Sequence, residues 1–314
     1  MENLIFSLNA TLPIFVLMVL GMFLRKIGIL DPPFVAKLNK FVFVVSLPVL
    51  LFEDLSQADF YEVWDGRMVI FCFVVTLVCI LAMIAVSFLL KDRSIQGEFI
   101  QASYRSSAAL LGMAFVQNIY GNAGMAPLMI IGTVPLYNIM AVVALAVFKP
   151  EREPLDSRLL QKTVKGILTN PIILGIAVGL IWSLLRIPQP ALLKKTVNSV
   201  GVLATPLGLM AMGASFEWKS AMGQIKPALL CSFFKLVGFV AIFLPVAVSF
   251  GFSHEKLVAI LVMLGSATTV SCFIMAKNMG HKGTLTSSVV MLTTLLSAFT
   301  LTFWLWLVKT LGLV

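Results

Sequence analysis

Two short polar segments interrupt apolar stretches of this sequence and are its strongest candidates for chemistry. They are residues 106–112 (SSAALLG) and residues 265–271 (GSATTVS). In a lipid bilayer, backbone N–H and C=O groups must be paired within the protein or must face a water-filled cavity. Small and hydroxylated residues inside an apolar stretch are therefore typical of a broken membrane helix that lines a binding site. We predict substrate contacts from five hydroxyl side chains of these segments, namely Ser106, Ser107, Ser266, Thr268 and Thr269.

Two basic residues are candidates for the charge in such a site. Lys235 follows Lys226 by nine residues, which is about 14 Å along a helix. At that depth a charge costs several kcal/mol unless it is paired or hydrated. Lys235 is a candidate counter-ion, a candidate proton-coupling group or a fixed charge in place of a coupling cation, and snorkelling toward the cytoplasmic face is the alternative. Arg105, directly before Ser106, either faces the same site or reaches the cytoplasmic interface.

Four further residues are predicted to break or kink the helices around the site. Pro48 and Pro206 each remove a backbone hydrogen bond, because proline lacks the N–H group. Gly112 and Gly265 permit a break, because glycine adopts conformations that other residues avoid. Ser46, close to Pro48, either contacts the substrate or pairs with a carbonyl group that the proline leaves free.

The sequence contains no motif for catalysis, for metal binding or for a cofactor. His254-Glu255 begins like a zinc-protease motif, but Val258 stands where the second histidine is required. The four cysteines lie in apolar stretches without paired spacing. No glycine-rich nucleotide loop is present either, which argues against a primary pump. We predict that the protein is not an enzyme and needs no metal or cofactor.

Composition places the chain among helical membrane proteins. Of its 314 residues, 60% are hydrophobic and only 12% are charged, and the mean hydropathy is +1.01. Soluble domains are about half apolar and about a quarter charged. A span needs roughly 20 apolar residues to cross the hydrocarbon layer. Ten spans are predicted, at residues 4–24, 37–56, 68–90, 98–119, 124–148, 164–185, 194–215, 226–250, 256–278 and 284–308.

The placement of lysine and arginine predicts the orientation in the membrane. With the N-terminus outside, the inner side holds sixteen of the 23 basic residues and the outer side holds six. This is the positive-inside pattern, so we expect both termini to be extracytoplasmic and the net charge of +9 to have no role in nucleic-acid binding. The acidic cluster Glu53, Asp54, Asp59, Glu62 and Asp65 is then expected on the outside.

The two halves of the chain match each other. A shift of the sequence by 158 residues aligns Pro13 with Pro171, Pro32 with Pro190 and Pro48 with Pro206. A shift by 159 residues aligns Ser107 with Ser266 and Gly121 with Gly280. Each half, 1–150 and 155–314, contains five predicted spans. Because five is odd, the second half must enter the membrane in the opposite sense, which is an inverted-topology repeat with its site near the midplane.

Depth along the helices agrees with a site at the midplane. Ser107 lies nine residues past Glu98, and Ser266 lies eleven residues past Glu255, so both segments are about 14–16 Å into the membrane. The fourth and ninth spans run in opposite directions, so their breaks can cross. Each break begins a new half-helix whose positive dipole end favours an anion. Tight helix packing through small residues is the structural alternative.

Several short motifs, spread over nearly the whole chain, are informative as a set. They are residues 12–21, residues 25–30 (RKIGIL), residues 39–48, residues 204–207 (ATPL) through 213–215 (GAS), residues 287–290 (SSVV) with 294–297 (TLLS), and residues 304–307 (WLWL). Together they resemble the auxin efflux carrier family of secondary transporters. The family is similar in fold to bile-acid/sodium symporters. This resemblance implies a scaffold domain of spans 1, 2, 6 and 7, often dimeric, and a mobile transport domain of spans 3–5 and 8–10. It also implies substrates that are mostly organic anions, such as malate- or malonate-type acids.

The chain departs from the family pattern at both crossovers. Ser107 and Ala114 stand where the first crossover usually has Asn and Pro, and Gly265-Ser266 stands where the second often has Pro-Pro. We predict a secondary carrier that moves a small organic anion across the cytoplasmic membrane by elevator-like alternating access. Its coupling ion would be a proton or sodium, with proton coupling or uniport preferred, and the carrier would form a homodimer through the scaffold. The alternative is a membrane-embedded binding or sensing protein with the carrier fold and little or no transport.

Overall fold

The computed structural model describes residues 2–56, 65–108, 113–120, 125–150, 164–166 and 168–314. These ranges are helical and contain no β-strand. In chain order the helices with described bounds are α1 (Glu2–Lys26), α2 (Pro32–Phe41), α3 (Leu47–Ser56), α4 (Gly66–Ser87), α5 (Gln96–Tyr104), α6 (Met113–Tyr120), α7 (Ala126–Val147), α8 (Pro171–Leu184), α9 (Ala191–Gly201), α10 (Ala204–Ala214), α11 (Trp218–Gly223), α12 (Ile225–Phe233), α13 (Phe239–Ser249), α14 (His254–Gly265), α15 (Ser271–Asn278) and α16 (Thr284–Thr310).

Six helical segments of the described ranges are long and apolar enough to cross a membrane by length and composition. They are Pro32–Ser56, Gly66–Ser87, Ala126–Val147, Ala191–Ala214, Ile225–Ser249 and Thr284–Thr310. The membrane class expected from composition is therefore matched by an all-helical chain with several apolar segments of the required length. The count of ten spans and the inverted repeat stay predictions.

Irregular turns lie at or near the predicted proline positions. A π-helical turn, Val42–Ser46, joins α2 to α3, and the Leu47 N–H donates to the Val42 carbonyl five residues back. Pro48 follows immediately and has no N–H to continue the usual i→i−4 pattern. Helices α9 and α10 are separated by a turn at residues 202–203, just before Pro206. Both prolines thus lie within one helical turn of a change in helical hydrogen bonding.

Glycines allow the closest helix contacts. Helix α1 packs extensively against α10, and α3 packs against α8 and α9. A Cβ atom on Gly213 would overlap the Met18 carbonyl oxygen, and one on Gly21 would overlap the Met210 carbonyl oxygen. Small residues at such crossings let two backbones approach closely within a membrane. In the structure, predicted span 1 thus contacts span 7, and predicted span 2 contacts spans 6 and 7.

Asp65 links the start of α4 to α14, outside the candidate spans. Its carboxylate accepts hydrogen bonds from the N–H groups of Arg67 at 3.0 Å and Met68 at 3.2 Å. It also pairs with the Lys256 ammonium at 2.5 Å. The hydrogen bond from Lys256 is the largest cause that holds the pKa of Asp65 below its ordinary value of 3.8. Since that pKa is lowered, the pair stabilises the fold above the unfolded value and is lost as the pH falls through the folded value.

Asp65→Asn is expected to lower stability by up to about 1 kcal/mol at neutral pH, because it removes a partly exposed ion pair. Asparagine caps a helix as well as aspartate does, so Asp65→Ala should cost roughly 1 kcal/mol more. Apparent melting temperatures in detergent would measure both. The deficit of Asp65→Asn relative to wild type should vanish below the pKa of Asp65. An equal loss of stability in Asp65→Asn at neutral pH and below the pKa of Asp65 would contradict the ion-pair account.

Candidate functional site

The two polar segments lie against each other where two helices end. Helix α5 ends at Tyr104 and α14 ends at Gly265, and residues 105–107 and 266–269 are not helical. The Ser107 N–H donates to the Ala267 carbonyl at 2.9 Å. Thr268 Oγ1 donates to the carbonyl of Ala102, also at 2.9 Å. Backbone groups freed by one break are thus satisfied by the other, as a buried interruption requires.

The residue at the end of α14 must be small. A Cβ atom on Gly265 would lie 2.9 Å from Val240 Cγ2 of α13, which is closer than ordinary packing permits. Beyond the break, the Thr268 N–H donates to Thr293 Oγ1 of α16 at 3.0 Å. The second break is therefore fastened on one side to α16 and on the other side to the first break.

A cavity of about 290 Å³ opens at the paired breaks. Residues 105–108 and 267–271 form part of its wall, so the predicted contacts Arg105, Ser106, Ser107, Thr268 and Thr269 all line it. The remaining lining residues come from α3, α7, α10, α15 and α16: Leu47, Leu50, Leu51, Asp54, Val134, Tyr137, Asn138, Ala204, Thr205, Ile274 and Thr294.

Arg105 brings a buried positive charge to this cavity. The residue is 2% exposed, and its Nη2 donates to Asn138 Oδ1 and to Ser271 Oγ, each at 2.7 Å. Nη1 donates to Gln101 Oε1 at 3.3 Å and contacts Met275 Sδ at 2.9 Å. All of these partners are uncharged, and Nε has no partner in the described part of the chain. Neutral hydrogen bonds hold the guanidinium in place without neutralising it.

Lys235 lies behind the cavity wall, in the π-helical turn Phe234–Gly238. It is fully buried, and its ammonium donates to Ser106 Oγ and to the Leu264 carbonyl, each at 2.5 Å. The Met263 carbonyl lies 3.5 Å from the same nitrogen and also accepts from Ser106 Oγ. A cation at the C-terminal end of a helix interacts favourably with its dipole. Lys235 thus fastens the end of α14 to the first break and does not line the cavity.

The other predicted residues lie near the cavity or outside the described ranges. Ser46 and Ser266 are fully buried, their hydroxyls lack a partner among the described residues, and neither lines the cavity. Pro48, Pro206 and Gly265 do not line it either, although their neighbours Leu47 and Thr205 do. Gly112 lies outside the described residues.

Sequence reasoning did not assign Asp54 to the site. It grouped Asp54 with an outer acidic cluster, and that orientation stays a prediction. The structure adds that Asp54 lies on α3 and in the cavity wall. One signal could have found it: Leu47, Leu50, Leu51 and Asp54 have the i, i+3, i+4, i+7 spacing of a single helix face. Tyr137 was also missed. It lies on α7 beside Arg105's partner Asn138.

Comparison with known proteins identifies the family of this chain. The profile of the family described as "Membrane transport protein" matches residues 6–305 of the chain. No curated protein matches this chain at a significant level. The family match covers nearly the whole chain and confirms the resemblance found in its motifs. The chain therefore belongs to the auxin efflux carrier family of membrane transport proteins and is a membrane transporter.

Proposed function

We propose that this protein is a ten-span, 5+5 inverted-repeat secondary carrier that moves a small organic carboxylate across the cytoplasmic membrane. The observation that supports it most is the guanidinium of Arg105 in the wall of a cavity between two helix breaks. A guanidinium presents a planar set of N–H donors that matches a carboxylate. Its partners in the described structure are neutral, so its charge remains to be compensated by an anion.

The hydroxyls around Arg105 suit the same ligand. Ser107, Thr269 and Thr294 line the cavity with Arg105 and can donate hydrogen bonds to carboxylate oxygens. Helix α15 begins at Ser271, at the edge of the second break. Its N-terminal N–H groups add a partial positive charge there. One end of the cavity is thus favourable for a negative group.

The arrangement of the walls supports alternating access. Helices α3 and α10, which belong to the predicted scaffold, contribute some of the lining residues. The breaks, α7, α15 and α16, which belong to the predicted transport domain, contribute the others. A movement of the transport domain along the scaffold would transfer a bound carboxylate between the two sides of the membrane. Coupling to a proton or to sodium, uniport, and a homodimer through the scaffold belong to the same proposal.

Arg105→Gln tests the proposal directly. Purified protein would be reconstituted into proteoliposomes, and counterflow of labelled mono- and dicarboxylates would be measured. A hydrogen bond to a charged group contributes about 1.5–3 kcal/mol, so Arg105→Gln should raise the half-saturating concentration by about 10- to 100-fold. Arg105→Lys keeps the charge but loses the planar donor set, so its affinity should be intermediate.

The matched control is Arg93→Gln, which removes an exposed arginine far from the breaks and should transport like wild type. If the wild-type protein shows counterflow of a carboxylate and Arg105→Gln shows the same counterflow, the role of Arg105 is contradicted. Binding of a carboxylate without any counterflow would favour a binding or sensing protein over a carrier.

A further inference from the structure

A second ionisable group lines the same cavity as Arg105. Asp54 is the only acidic residue in the described wall. It lies on α3, inside the candidate span Pro32–Ser56, and is partly buried. Its neighbour Glu53 has a structural partner, since Asn198 Nδ2 donates to Glu53 Oε1 at 2.9 Å. Asp54 makes no hydrogen bond or ion pair with any described residue.

The two ionisable groups of the cavity do not pair with each other. Arg105 donates to Gln101, Asn138 and Ser271 and contacts Met275, and Asp54 is not among its described partners. An ionisable side chain within a membrane segment is costly unless it is paired, and its position usually marks a ligand or ion pathway. The wall therefore offers a guanidinium and a carboxyl group to whatever occupies the cavity, and neither has an oppositely charged partner among the described residues.

We infer that the preferred substrate is a zwitterion, whose carboxylate binds Arg105 and whose ammonium group binds Asp54. This inference rests on the proposed function and names its substrate class. A simple monocarboxylate would neutralise Arg105 and leave Asp54 unpaired. A dicarboxylate would place a second negative group in a cavity that already contains a carboxylate, which is a repulsive element against that class. An amino acid satisfies both charges.

The rest of the lining fits a small amino acid with a short apolar part. Leu47, Leu50 and Leu51 share a helix face with Asp54, and Val270 and Ile274 also line the cavity. Methylene groups gain free energy when such surfaces cover them. A volume of about 290 Å³ is at the small end of ligand pockets, which are commonly about 300–1,000 Å³. A hard metal cation fits less well, because it requires several oxygen ligands and the side chains next to Asp54 on this face are leucines.

The test compares amino acids with analogues that lack the ammonium group. Binding of alanine, β-alanine, γ-aminobutyrate, propionate, butyrate, malonate and succinate to the purified full chain would be measured by calorimetry in nanodiscs. At least one amino acid should bind about tenfold or more tightly than its deaminated analogue, because a charge-assisted hydrogen bond is gained. Asp54→Asn should remove this preference because it weakens binding of the amino acid, and Asp54→Glu should retain the preference. Glu217→Gln, at an exposed carboxylate on another helix end, should behave like wild type.

The possible results separate this inference from the proposed function. Suppose that the wild-type protein binds propionate, butyrate or a dicarboxylate as tightly as any amino acid, and that Arg105→Gln weakens that binding. The inference of a zwitterionic substrate is then wrong, and the carboxylate site at Arg105 is supported. Uptake of a proton with a monocarboxylate, abolished in Asp54→Asn, would equally overturn the zwitterion, because Asp54 would then bind the proton. If no carboxylate of any kind binds wild type, both the inference and the proposed function fail. The wild-type comparison decides the inference even if a variant does not fold.

Discussion

Lys235→Met is expected to abolish transport and to lower the stability of the protein more than Asp65→Asn or Asp65→Ala does. Methionine has a similar length but cannot donate, so Ser106 Oγ and the Leu264 carbonyl each lose a 2.5 Å hydrogen bond. A buried acceptor without a partner costs roughly 1–3 kcal/mol, so the total is about 2–6 kcal/mol. The end of α14 and the first break would no longer be fastened together, and the cavity wall that they form would lose its geometry.

The effect would be measured as counterflow in proteoliposomes and as the apparent melting temperature in detergent. Lys235→Arg keeps a cation at the end of α14 and should retain part of both properties. Lys226→Ala is the matched control, because Lys226 lies on the same stretch of helix but is exposed. Its stability should change by less than about 0.5 kcal/mol, as is usual for surface substitutions. Wild-type transport and stability in Lys235→Met would show that the buried ammonium is not needed to hold the breaks.

Gly213→Ala is expected to destabilise the contact between α1 and α10. The new Cβ atom would overlap the carbonyl oxygen of Met18, and a backbone atom cannot rotate away as a side chain can. Overpacking a well-packed contact costs typically about 1–3 kcal/mol, and more when backbones must separate. Gly21→Ala meets the Met210 carbonyl on the other side of the same contact and should have an effect of similar size.

Gly223→Ala provides the control for this prediction. Gly223 lies at the end of α11, and a Cβ atom there would meet no atom within 4 Å. Alanine also favours the helical state over glycine by up to about 1 kcal/mol, so this variant should be as stable as wild type or slightly more stable. Apparent melting temperatures of the three variants in the same detergent would decide the matter. A melting temperature of Gly213→Ala equal to that of Gly223→Ala would mean that α1 and α10 are not in close contact.

Local patterns in the sequence were enough for the class of protein and for the position of the unusual segments. Composition and hydropathy are sums over many residues, so they predict a helical membrane chain without knowledge of any contact. The segments at Ser106 and Gly265 are visible for a related reason, since a few polar residues contrast with an apolar background. Helices α5 and α14 end beside them in the structure. The family motifs added the transporter assignment, which the family match supports.

Tertiary structure decided which charges face the cavity. Lys235 and Arg105 were both candidates for the charge of the site, yet Lys235 donates to the helix end at Leu264 while Arg105 lines the cavity. Asp54 was not assigned to the site from the sequence, yet it shares the cavity wall with Arg105 in the structure. A pairing such as that of Lys235 with Ser106 joins residues 129 positions apart. Helical periodicity reports only the face of one helix, so the partner that this face meets is set by how the helices pack.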